Sequence, residues 1–155
     1  MKMMSKYHKY YRQGFTIMEV LVVLGIIGIL ATMVGPAMSR IVRHQRANRA
    51  ATVITADLQN AFAVAARQRQ PVRILADAST RSYQFIDRKT GNVLRIRTFY
   101  GDTSEYKLTT LVFNPTTIDV FPSGISSAPV TITLANGDYG KTITASTAGF
   151  IRVSH

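Results

Sequence analysis

From Phe15 to Met38 the chain is apolar almost without a break, and Glu19 is the one charged residue in the run. As an α-helix this stretch is about 36 Å long at ~1.5 Å per residue, enough to cross a hydrocarbon core about 30 Å thick. Past it the pattern changes. Val53, Ile54, Leu58, Ala61, Phe62 and Ala65 recur at three- and four-residue spacing, the stripe of an amphipathic helix, and Pro71 supplies its stop. After Pro71 the chain reads as short strands between turns. Val72–Leu75 is the first. Tyr83–Ile86 and Val93–Arg97 flank Asp87–Asn92 as a hairpin. In Val93–Thr98 apolar and arginine positions alternate, as in a half-buried strand. Ile118–Phe121 runs into Pro122-Ser123-Gly124, Val130–Leu134 into Asn136-Gly137, and Lys141–Thr144 and Phe150–Val153 flank Ala148-Gly149. The pattern predicts an α+β fold: a long N-terminal helix with a transmembrane half (15–38) and an amphipathic half (39–70), packed on antiparallel β-sheet structure in a β-rich globular part (71–155).

Charge adds an orientation to that outline. The 155 residues carry a formal net charge of +11, and Lys2, Lys6, Lys9 and Arg12 precede the apolar run with no acidic residue among them. Positive charge there holds the N-terminus on the cytoplasmic side. The rest of the chain keeps 15 basic against 8 acidic side chains, which favours acidic partners such as lipid head groups or nucleic acid without choosing between them. Arg40, Arg43, Arg46 and Arg49 step by three directly after the run. They read either as head-group contacts or as a solvated face that prevents misinsertion. Cysteine is absent, so disulfides, thiolate metal sites and cysteine nucleophiles are excluded.

The run is too long for the apolar core of a secretory signal peptide, and the small residue that would mark cleavage, Gly14, precedes it. A plain signal anchor leaves Glu19 unexplained, because a carboxylate buried in lipid is costly, by ~2.5–3.5 kcal/mol on insertion scales, and something should compensate it. Cleavage after Gly14 would create an α-ammonium at Phe15, one helical turn from Glu19, able to neutralise it within one chain or between neighbours.

Gly14-Phe15-Thr16-Ile17-Met18-Glu19, followed by an apolar helix, resembles the class III signal of type IV pilins and type II secretion pseudopilins. The resemblance implies a prepilin leader over residues 1–14, cleavage by prepilin peptidase between Gly14 and Phe15, and N-methylation of Phe15. It implies that Glu19 pairs with a neighbouring subunit's N-terminus during assembly, and that Pro36, beside Gly35, kinks the helix. Gly25, Gly28 and Gly35 fit such bending, or ordinary membrane-helix composition. Phe121-Pro122-Ser123-Gly124, the Asn136-Gly137 turn and the ending Ala148-Gly149-Phe150-Ile151-Arg152-Val153 resemble the GspH/FimT group of minor pseudopilins and minor pilins.

The expected function is therefore structural: a minor pilin or pseudopilin of a type IV pilus or type II secretion pseudopilus, acting in the tip or initiation complex. It would lie in a bacterial inner membrane with its C-terminal part periplasmic, before joining other pilins in a filament. The alternative is a DNA-binding minor pilin of a competence pilus. Some FimT-like minor pilins bind DNA through a C-terminal Gly-Arg-x-Arg motif; at Gly149-Phe150-Ile151-Arg152 the second arginine matches and the first does not. In that alternative Arg152, Lys141, Arg95 and Arg97 contact phosphates. No enzyme is expected: His8, His44 and His155 are scattered, and no nucleophile, paired-carboxylate, phosphate-loop, metal or cofactor signature is found.

Overall fold

The computed structural model describes residues 14–101 and 104–154. The expected leader, with its basic residues and His8, lies outside them apart from Gly14, and so does His155. One long helix, α1 (Ile17–Gln68), is followed by eight strands: β1 (Val72–Asp77), β2 (Ser82–Asp87), β3 (Val93–Thr98), β4 (Thr110–Asn114), β5 (Thr117–Val120), β6 (Val130–Asn136), β7 (Tyr139–Ala145) and β8 (Ile151–Ser154). The chain divides into two units at Met38.

In the first unit every described side chain of α1 is exposed. In the second, α1 presents Ala47, Ala50, Ala51, Ile54, Leu58, Ala61 and Ala65 to the core. Alanines at five of these seven positions favour helix and let its backbone approach the strands closely. The helix ends where Arg69 turns left-handed at φ +52°, two residues before Pro71, as helix C-termini commonly do.

The strands form two antiparallel sheets, ordered β3-β2-β1-β5 and β4-β6-β7-β8. Tyr83, Phe85, Ile118 and Val120 from the first sheet and Phe113, Ile132, Leu134 and Ile143 from the second join the helix stripe in one apolar core. Two sequence expectations change. β4 is an unforeseen strand, because Leu111-Val112-Phe113 is a short all-apolar run rather than an alternating one. β3 is not half-buried: none of its residues is buried, and Ile96 is 63% exposed. The physical reason is its position at the sheet edge, where its inward face carries arginines instead of apolar side chains.

Candidate functional site

The apolar helix begins at a cap. The Thr16 hydroxyl accepts the Glu19 backbone amide at 3.2 Å, and the Thr16 carbonyl accepts the Val20 amide. Thr16 is thus the N-cap and Glu19 the third helical residue, the spacing of a capping box. Glu19 lies in the first turn, where the positive end of the helix dipole favours a carboxylate by about 0.3–1 kcal/mol. Around it the large apolar side chains are bare: Phe15, Ile17 and Met18 are exposed. Neither the cap nor its benefit to Glu19 was foreseen, although Thr-x-x-Glu ahead of an apolar run is a readable signal.

Asp57 is the polar centre of the second unit. It sits on the buried stripe of α1 at 3% exposure. The Tyr83 hydroxyl donates to it at 2.8 Å and the Arg95 guanidinium at 2.7 Å, while Arg97 donates to both of its oxygens. Burial pushes the carboxyl up, but the hydrogen bonds from Arg97 and Tyr83 and the nearby arginine charges outweigh it and hold it below its ordinary value. Burial, with Asp57 beside it, pushes the Tyr83 phenol up. A second cluster ties β1 to β5: Arg73 donates twice to Asp119, at 2.7 and 2.9 Å, and Arg88 lies 3.4 Å away.

These contacts decide where the expected phosphate-binding residues stand. Arg95 and Arg97 pair across the sheet with Phe85 and Tyr83, on its inward face, and are engaged by Asp57. Lys141 lies on the inward face of β7 with Ile143 and Ala145, whereas Arg152 pairs with exposed Thr144 on the outward face. The four cations do not form one surface. Of the helix arginines, Arg40 and Arg49 are exposed, and Arg43 and Arg46 are partly buried. His44 is exposed, with its ring edge-on to Tyr139, centroids 3.8 Å apart. Among the described residues no group of three potential metal ligands occurs.

The family model for the type II transport protein GspH matches residues 50–149, which is most of the second unit. The chain belongs to the GspH family. The model of the prokaryotic N-terminal methylation motif matches residues 9–35, a span that includes Gly14, Phe15 and Glu19. The two models together make this GspH-family chain a minor pilin or pseudopilin subunit, membrane-anchored through its apolar helix.

Solved structures agree on the fold. The type IV minor pilin FimU of Pseudomonas aeruginosa is similar in two crystal forms. One is 21% identical with a TM-score of 0.58, covering 72% of this chain and 90% of that one. The other is 19% identical with a TM-score of 0.55, covering 70% and 92%. The minor pseudopilin EpsH from the type 2 secretion system of Vibrio cholerae is 21% identical with a TM-score of 0.53, covering 70% and 96%. Among curated proteins no sequence matches this chain. The long helix on antiparallel sheets is thus the fold expected from the sequence.

Proposed function

We propose that the chain is a prepilin cut between Gly14 and Phe15, that the new amino group of Phe15 is methylated, and that Glu19 then binds the amino terminus of a neighbouring subunit in the filament. The supporting observation is Glu19 itself, a carboxylate in the first turn of a helix whose described side chains as far as Met38 are otherwise uncharged and exposed. A carboxylate inside the bilayer costs ~2.5–3.5 kcal/mol at the centre of a membrane helix and less near its end, where Glu19 stands, while the helix dipole returns only about 0.3–1 kcal/mol. The remainder calls for a cation, and an α-ammonium one turn away or on a neighbour supplies it. The basic leader stays cytoplasmic, the β-rich part lies beyond the inner membrane, and Pro36 kinks the helix. A role in the tip or initiation complex of a pilus or secretion pseudopilus follows from the family's minor-subunit character.

Two variants expressed with the native machinery test this. Gly14→Glu should leave the chain at its full precursor mass. Glu19→Gln should be cut normally yet fall at least about tenfold in the filament fraction, the equivalent of ~1.4 kcal/mol. Cleavage of the first together with normal incorporation of the second would overturn the proposal.

A further inference from the structure

Within the second unit, the β6–β7 turn lies over the first turns of α1 past Met38 and encloses a cleft of about 300 Å³ lined by Arg40, Ile41, Arg43, His44, Asp138 and Tyr139. The turn is shaped for this approach. Gly137 is left-handed at φ +61°, and a Cβ there would meet the Cδ of Arg43 at 3.0 Å, so the arginine stem lies flat against backbone. His44 and Tyr139 form the aromatic wall. The arginine ladder is therefore split: Arg40 and Arg43 enter the cleft, and Arg46 and Arg49 do not line it.

We propose that this cleft binds the headgroup of an anionic phospholipid at the leaflet where the helix leaves the bilayer. Two guanidiniums match a phosphodiester in charge and geometry. Asp138, also in the lining, accepts a hydrogen bond from a glycerol hydroxyl of the headgroup. Ile41 and Tyr139 offer apolar surface to the glycerol and the first acyl carbons. In sequence the cleft begins two residues after the membrane-length run, so a headgroup reaches it while the chain is still anchored. The proposal rests on the membrane-anchored reading. It assigns the Arg40–Arg43 pair a binding role that a uniform belt of charge does not have.

The test uses the full chain in detergent micelles, titrated with phosphatidylglycerol or phosphatidylcholine and read by native mass spectrometry. Phosphatidylglycerol should bind in preference. Arg40→Gln should weaken it about five-fold and Arg40→Gln/Arg43→Gln about thirty-fold, at ~1 kcal/mol per arginine. Arg46→Gln/Arg49→Gln should change it by less than about two-fold. Because Arg40 is exposed, its single variant keeps the fold and carries the test even if Arg43 variants unfold. Equal losses from the two double variants would mean a diffuse belt, and displacement of the lipid by equimolar inorganic phosphate would mean a general anion site; either result overturns the proposal. Co-sedimentation of the chain with phosphatidylcholine vesicles separately tests anchoring, which the Arg40 and Arg43 variants should leave intact.

Discussion

One helix supplies two regions that obey opposite rules. As far as Met38 its described side chains are exposed, with Leu24 at 58%; in the alanine-rich region those that face the core are mostly small and buried, with Leu58 at 2%. The second region is completed by its own sheets. The first has no covering from its own chain among the described residues, so its stability belongs to whatever surrounds it, lipid before assembly and neighbouring helices afterwards. Such surface cannot stay in water: fully burying a leucine side chain is worth about 1.5–3 kcal/mol, and the run holds a dense series of comparable residues.

The sharpest way to break that contrast is to make the same change in both regions. Leu58→Ala removes a core side chain and should cost about 2–5 kcal/mol of the globular part's stability, measured by urea unfolding of the full chain in micelles. Leu24→Ala should move the same transition by less than about 0.5 kcal/mol. Similar shifts for the two would show that both regions unfold as one packed unit.

A second test lies on the covered side. Asp57→Asn keeps the shape but leaves two guanidiniums without their anion, a break that costs about 3–5 kcal/mol when both partners are buried. Arg95 and Arg97 are partly open to solvent, so about 2–3 kcal/mol is expected near pH 7. The folded state holds the Asp57 proton less tightly than the unfolded chain, whose carboxyl titrates near 3.8. Its contribution is therefore complete above about pH 5 and is lost as pH falls through the lowered folded value. The gap between wild type and variant should close in acid; a gap independent of pH down to about 2 would exclude the ionised network.

Legibility in the sequence differs between the regions for the same physical reason. The first is declared by composition, since a bilayer imposes one uniform requirement on every residue, and Phe15–Met38 meets it in plain sequence. The stripe from Val53 to Ala65 and most strands are likewise carried by local period. Asp57 was passed over because its partners Tyr83, Arg95 and Arg97 are distant in sequence, and only the pairing of β2 with β3 brings them together. It nevertheless falls three residues after Ile54 and four before Ala61, so a carboxylate on the apolar face was visible. The inward direction of Arg95 and Arg97 was not, because alternation alone does not say which face of a strand meets the core. β4 was hidden by its short run of consecutive apolar residues.

The smallest effect belongs to the cap, and it tests order in the region without packing of its own. Thr16→Ala removes the hydroxyl that accepts the Glu19 amide but leaves the Thr16 carbonyl that accepts the Val20 amide. Loss of an N-cap costs about 1 kcal/mol, which corresponds to about five-fold faster hydrogen exchange. That acceleration should be concentrated at the Glu19 amide, with Val20 changed less. A helix start held only by its surroundings would exchange alike with and without the hydroxyl. A start held by Thr16 would loosen at Glu19 first, and under the proposed pairing of Glu19 with an ammonium, Thr16→Ala should lower filament incorporation in the same direction as Glu19→Gln and by less.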